Sequence, residues 1–387
     1  MAGPDISAEA QKPVPAGLPP AGERGFSSLQ SGEDYQTVWQ RHFGQGLNLR
    51  MLGSSSFSAP VMIHRERRVL ELGTRFDFLP SDRQFVLRGR KRYLPLAQIA
   101  PPISIEAGNL RGGYDQNGPQ GPADFMRAVA ATRGWDYGQF PVPDDMSGAW
   151  VTAARDAGLL PILRATGRIF FATPEYQGWD ALMAGASRNL RKNIKRMERN
   201  IDDAGVQLRL YQGDDVAQGI AHLRACASDS WKADEDVQTV PVQVPLTERQ
   251  LAFFTDLDRL PNHRLLIATM EQDGRPLAVQ LWVAARQCGA GTDLMGGITY
   301  HIADSRAYAP GHALMKFMLQ WAESQGIRGI DYNATDPWLA AYATHATPFH
   351  MLMVMRDTVW GRLLHRIARR FDAGLDLSQN TPETAGG

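Results

Sequence analysis

Three apolar runs follow one another in the second half of the chain: Arg264–Met270 (RLLIATM), Pro276–Ala285 (PLAVQLWVAA) and Gly291–Thr299 (GTDLMGGIT). The first two are joined through Glu271-Gln272-Asp273-Gly274, and an Asp-Gly pair between apolar runs predicts a tight antiparallel hairpin. Helical patterns precede them at Val216–Trp231 and Thr247–Leu260, and another follows from Pro310 to Gln325, closed by Gly326. A strand at VQLRLY opens this region and a strand at Arg328–Asn333 closes it. Helix, helix, three strands, helix, strand, with no fixed-period repeat, implies a mixed α/β domain whose sheet is largely antiparallel.

Upstream, residues 179–205 read WDALMAGASRNLRKNIKRMERNIDDAG. Leu190, Ile194, Met197 and Ile201 recur at spacings of four, three and four, so one helical face is apolar, with Ser187 as its cap and Gly205 as its stop. Arg188, Arg191, Lys192, Lys195, Arg196 and Arg199 cover the rest. Such a face is either simply solvated or receives an anionic substrate, with Arg191 and Lys195 as candidate contacts. Trp231 and Lys232, at the end of a predicted helix, are candidates for lining an acceptor cleft.

A length of 387 residues suggests two domains. Residues 1–30, rich in Pro, Gly, Ala and Ser, read as disordered. From 31 to 178, short apolar runs alternate with Gly and Pro. RRVLELG, RQFVLRGRKRYLPLAQ, WDYGQFPVP and RIFFATP read as strands, and Asp124–Arg133 and Gly148–Gly158 as helices. The 41 basic and 41 acidic side chains cancel, which makes nucleic acid an unexpected partner. Two cysteines exclude a disulfide scaffold, and no HExxH or paired CxxC setting suggests a metal. The N-terminus lacks the apolar segment of a signal peptide and no apolar run reaches membrane-spanning length, so a cytoplasmic location is expected.

The join from Thr299 to Ala313, TYHIADSRAYAPGHA, carries the chemistry. A strand ends, a loop crosses, and a helix starts at Pro310-Gly311. A helix start leaves free N–H groups and partial positive charge, an anion site, and the small Gly311 and Ala313 let a phosphate approach the backbone. Gly296 and Gly297 permit a bulge or a close ligand approach near the strand end.

On three stretches the chain resembles the GNAT acyltransferases, in the BioF2-like or CelD-like branch distantly related to the FemAB peptidyltransferases. They are residues 179–205, the DSWK at Asp229–Lys232, and RPLAVQLWVAARQCGAGTDLMGGITYHIADSRAYAPGHALMKFMLQWAESQGIRGIDYNATDPW. The family's pyrophosphate loop, Gln/Arg-x-x-Gly-x-Gly/Ala, corresponds to Tyr308, Gly311 and Ala313, with Tyr308 in place of the usual Gln or Arg. The resemblance implies acyl-CoA as co-substrate, no permanently bound cofactor, and donor contacts at Gly297, Ile298, Tyr308, Ala309, Pro310, Gly311, His312, Ala313 and Asn333. It implies direct attack of an amine on the thioester, with strand N–H groups holding the oxyanion. Asp331 and His301 are the candidate bases and Tyr342 the candidate acid. It also implies tandem GNAT-like α/β domains, 31–178 and 179–355, with mixed, mostly antiparallel sheets flanked by helices.

The last segment, residues 356–387, holds WGRLLHRIARRFDAGL. Trp360, Leu363, Leu364, Ile367, Ala368 and Phe371 fall on one side, and Arg362, Arg366, Arg369 and Arg370 on the other. The pattern is that of a helix that either packs on its own protein or lies on an anionic membrane surface. With that helix, the expected activity is transfer of an acyl group to a primary amine of a cell-envelope building block, a long-chain sphingoid amine first among them. An exopolysaccharide amino sugar and a FemAB-like aminoacyl-tRNA-dependent ligase are the alternatives, beside a GNAT-fold binding protein without catalysis.

Overall fold

The computed structural model describes residues 33–43, 49–53, 58–65, 103–107, 120–230, 247–287, 291–332 and 336–373. The segment 1–30, the strands expected at RRVLELG and RQFVLRGRKRYLPLAQ, and Trp231, Lys232 and Asn333 lie outside the described residues. In chain order the helices and strands are α1 Glu33–Phe43, β1 Leu49–Gly53, β2 Ser58–Arg65, β3 Ile103–Ala107, α2 Gln120–Ala131, β4 Tyr137–Pro143, α3 Ser147–Asp156 and β5 Leu159–Thr173. There follow α4 Trp179–Gly185, α5 Arg188–Asp203, β6 Gln207–Tyr211, α6 Val216–Ser228, α7 Glu248–Asp258, β7 His263–Gln272, β8 Arg275–Gln287 and β9 Gly291–His301. The chain closes with α8 Pro310–Ser324, β10 Gly329–Asp331, β11 His345–Arg356 and α9 Val359–Ala373.

The chain forms two compact units, each built on mixed, mostly antiparallel strands flanked by helices. Among the described residues the first unit holds 33–43 and 169–347, and the second holds 49–168 and 348–373. These limits differ from the expected 178 and 355 because the chain passes between units inside strands: β5 is 15 residues long and β11 is 12. Helix α1 joins the first unit because its apolar side, Tyr35 and Val38, packs there, with Tyr35 edge-on to Phe253 at 5.1 Å.

In the first unit the strand order is β5-β10-β9-β8-β7-β6. Asp273 and Gly274, both with positive φ, make the tight turn between β7 and β8. One sheet face packs on α4, α5 and α8 through Leu190, Ile194, Met197, Ile201, Leu314 and Met318. Ser187 caps α5 by accepting from the Leu190 N–H, where the sequence pattern put the start of the basic helix, and the short α4 ends just before it. The other face packs on α6, α7 and α1 around Leu223, Phe253, Phe254 and Leu257. Thr247 and Gln250 form a reciprocal cap on α7.

In the second unit β1, β2 and β3 pair antiparallel, β3 and β4 parallel, and β4 and β11 antiparallel. Helices α2 and α3 cover one face, with Phe125 edge-on to both Phe140 and Trp150. Helix α9 covers Tyr137, Ile162, Met351, Met353 and Met355 with Leu364 and Ala368, and Trp360 packs beside them. The apolar side of α9 therefore packs on its own sheet, the first of the two arrangements the sequence pattern allowed. Arg362, Arg366 and Arg369 remain exposed, and Arg362 pairs with Asp357. Among the described residues no helix is long and apolar enough to cross a membrane.

Candidate active site

Strand β10 runs parallel to β9 for three residues, Gly329–Asp331 against Asp293–Met295, and the ladder then stops. β9 continues to His301, paired among the described residues with β8 alone. Gly296 is the first residue past the ladder. A Cβ there would lie 3.0 Å from the Tyr332 carbonyl oxygen and 3.1 Å from Trp282 Cζ3, so glycine is what lets the chain leaving β10 pass so close. Gln280 pairs with Thr299 and Trp282 with Gly296, which leaves Leu281 alone opposite Gly297 and Ile298. Two residues facing one is a β-bulge, which breaks the ladder and re-aims backbone groups at the point where the strands part.

Beyond β9 the chain makes a 3-10 turn, Ala303–Tyr308, and Ala309 takes a left-handed conformation (φ 46°, ψ 60°) before Pro310 opens α8. A left-handed alanine costs about 1–2 kcal/mol, strain of the kind concentrated at functional sites. The His312 and Ala313 N–H groups bond back to the Ala309 carbonyl at 3.0 and 3.1 Å. The anion site read from the sequence thus narrows to the Gly311 N–H. Asn200 of α5 donates to the Ala307 carbonyl at 3.0 Å, tying the basic helix to this turn.

Tyr342 closes the constellation. Its hydroxyl lies 2.5 Å from His312 Nδ1. Its ring stacks on Trp179 at 6.4 Å and meets Trp338 edge-on at 5.8 Å. The Tyr342 carbonyl accepts from the Tyr332 hydroxyl at 2.6 Å and from Thr173 Oγ1 at 3.2 Å. Burial first, and then Tyr332, push the Tyr342 hydroxyl above the ordinary tyrosine range, so it keeps its proton. Burial holds His312 below the usual histidine range, so its ring is neutral, and the tautomer of the ring sets which of Nδ1 and the Tyr342 hydroxyl donates in their bond. The Gly311 Cα stands beside Trp338, where a Cβ would lie 3.8 Å from Cη2.

The two candidate bases lie elsewhere. Asp331 is buried on β10 opposite Met295, which belongs to the α6–α7 core, whereas its neighbour Tyr332 belongs to the α8 core. Asp331 and Tyr342 therefore approach the parting strands from opposite sheet faces. His301 ends β9 with Nδ1 3.3 Å from the Ile302 carbonyl oxygen.

Residues 188–344 match the family model described as an acetyltransferase (GNAT) domain. This stretch is a GNAT domain. The protein carrying it is a transferase enzyme, and GNAT acetyltransferases use acyl-CoA as co-substrate. The crystal structure of FemX is similar in fold, with a TM-score of 0.52 at 9% identity, over 88% of this chain and 94% of that one. L-PGS from Bacillus licheniformis aligns at TM-score 0.46 and 10% identity over 89% and 98% of the two chains. A tandem GNAT protein from the clavulanic acid biosynthesis pathway aligns at 0.36 and 14% identity over 65% and 74%. No curated protein matches the chain in sequence.

Within the GNAT domain, Gly297 and Ile298 form the β9 bulge and Gly311 opens α8, while Tyr308 ends the 3-10 turn before it. Arg191 and Lys195 stand exposed on α5. Arg191 Nη1 donates to the carbonyls of Met183, Ala184 and Ala186 at 3.3, 3.4 and 2.7 Å, so this side chain closes α4, a structural task the charge pattern did not reveal. Sequence reasoning missed Thr173, Tyr332, Trp179 and Trp338 around Tyr342, and the buried Asp293 on β9. Burial, countered by the Gly329 N–H and Arg328 and reinforced by Asp331, pushes the Asp293 carboxyl up to about 7.

Proposed function

We propose that the GNAT domain is an N-acyltransferase that moves an acyl group from acyl-CoA to a primary amine. The observation that carries this reading is the parting of β9 from β10 at Gly296, with a bulge at Gly297–Ile298. A thioester lying in the gap has its carbonyl against the bulge N–H groups and its phosphates at the Gly311 N–H. Asp331, on the α6–α7 face, takes the ammonium proton and frees the nitrogen lone pair. The amine attacks the carbonyl carbon, and the carbonyl oxygen takes the negative charge against the bulge. The C–S bond then breaks. Tyr342 gives its hydroxyl proton to the departing thiolate and regains one from the second N–H proton that the nitrogen loses. A neutral His312 holds the Tyr342 hydroxyl in place.

The acceptor to test first is a long-chain amine that yields a ceramide-like N-acyl lipid, supported by the exposed arginines of α9 as a contact for an anionic surface. Purified protein is offered acyl-CoAs of several lengths with sphinganine, an amino sugar and short amines, and thiol release is followed. Thiol release that depends on one amine class names the acceptor; none with any amine rejects the reading. A second reading, an aminoacyl-tRNA-dependent ligase, is favoured by the six exposed cations of α5, and tRNA binding that weakens steeply with salt would select it.

A further inference from the structure

Asp293 has no part in the reaction as written, yet its surroundings are specific. It lies on β9 opposite Gly329 of β10, and Asp331 follows two residues later on the same strand. Residues two apart on a strand share a face, so the Asp293 and Asp331 carboxyls are diagonal neighbours on the α6–α7 face. Gly329 brings no side chain between them, and its N–H donates to Asp293. On the other side Asp293 faces Ala285 of β8, again a small residue, and both carboxyls are buried, 8% and 3% exposed. Arg328 is the cation acting on Asp293. Beyond Ala285, on β7, stands His263, which burial holds below the usual histidine range while Asp34 of α1 works the other way. Asp331 sits at the last rung of the β9–β10 ladder, at the parting, and Asp293 one step behind it toward the start of β9.

We propose that Asp293 is the proton outlet of Asp331, a relay and positioning carboxyl that receives the proton Asp331 takes from the amine and passes one on to water. The inference rests on the assignment of Asp331 as base. The neighbouring Asp331 adds to what burial does to Asp293, so below neutral pH Asp293 already holds a proton and receives none. Above neutrality Asp293 rests as the carboxylate, takes the proton that Asp331 has removed from the ammonium group and gives it to water, so one proton enters and one leaves per turnover.

The test compares Asp293→Asn with wild type, using acetyl-CoA and octylamine as probes, across pH 5.5 to 9. Asparagine keeps an oxygen for the Gly329 N–H and cannot relay. The ratio of wild-type to variant kcat/KM cancels the ionisation of the amine itself. It should stay near one below pH 6 and climb to about tenfold or more above pH 8, with an unchanged KM for acetyl-CoA. A ratio independent of pH, whether one or large, overturns the relay. Carbon-13 carboxyl titration of the intact protein reads the same coupling without turnover: Asp331→Asn should lower the pH at which Asp293 titrates, and an unmoved Asp293 also overturns the proposal. Full activity in Asp331→Asn would instead remove the base assignment, a separate failure.

Discussion

The Tyr342 hydroxyl rests 2.5 Å from His312 Nδ1, across 30 residues of sequence. That bond joins the first turn of α8, where the donor's phosphates are expected, to the group proposed to protonate the leaving thiolate. Tyr342→Phe keeps the stacking on Trp179 and removes only the proton. Turnover should fall about a hundredfold while acyl-CoA affinity holds, as measured by steady-state rates beside calorimetric binding. Equal losses in both would make the tyrosine a packing residue.

At Gly311 size and charge can be separated. An added Cβ meets Trp338 at ordinary contact distance, so Gly311→Ala should fold and bind acyl-CoA within a few fold of wild type. Gly311→Glu puts a carboxylate where the phosphates are expected, and binding should fall by a factor of about ten or more. Undiminished affinity in a folded Gly311→Glu protein would move the phosphates elsewhere.

Gly296→Ala tests the parting itself. The new methyl would press on the Tyr332 carbonyl and the Trp282 ring, and such overpacking costs about 1–3 kcal/mol. Chemical denaturation should show that loss, and turnover should drop with it, since the strands must shift at the gap. A variant of wild-type stability and rate would show that the gap widens freely.

Asp293 also makes stability depend on pH. In the unfolded chain an aspartate titrates near 4, whereas in the folded chain this one titrates at about 7. A raised folded value means stability is fully present below pH 4, falls as pH rises to 7, and levels off above. The Tm advantage of Asp293→Asn over wild type should therefore widen from pH 4 to 7 and then stay constant. A gap that is the same at pH 4.5 and pH 8 would contradict the assignment.

For α9 the packing of Leu364 gives a clear expectation. Leu364→Asp should destabilise the second unit by about 3 kcal/mol or more, because a charge would enter a core without a partner. Replacing Arg362, Arg366 and Arg369 with Gln should leave stability within about 0.5 kcal/mol. Sedimentation with anionic vesicles then isolates the surface charge: binding by wild type and none by the triple variant would assign these arginines a membrane contact.

Local signals carried much of the fold. The Asp273-Gly274 turn, the Ser187 cap and Pro310 at the start of α8 each act within a few residues, and each sits where the pattern put it. β11 escaped because its core stretch, HMLMVM, is rich in Met and poor in β-branched residues. The start of β5 was hidden by Pro161 and Gly167, which read as punctuation but lie inside the strand. The candidate site was harder to find for a different reason. Tyr342 meets His312 and Thr173 through tertiary packing that no period encodes. The face that Asp331 presents depends on which core Met295 joins, and Asp293 is a single acid inside an apolar run.

The strands that cross between the two units bear on how much chain the catalytic module needs. The family match begins at 188, but Ile330 and Asp331 take their antiparallel partners from Thr173 and Ala172 of β5. Thr173 also bonds the Tyr342 carbonyl. A polypeptide trimmed to 188–344 would expose the β10 edge beside the proposed base, remove a support of the proposed acid, and lose α1 from the face that covers Phe253. The GNAT motif is thus shorter than the compact unit that packs around it. Transplanting the activity, or recombining it with another scaffold, calls for β5 and the distant N-terminal helix α1 to travel with it.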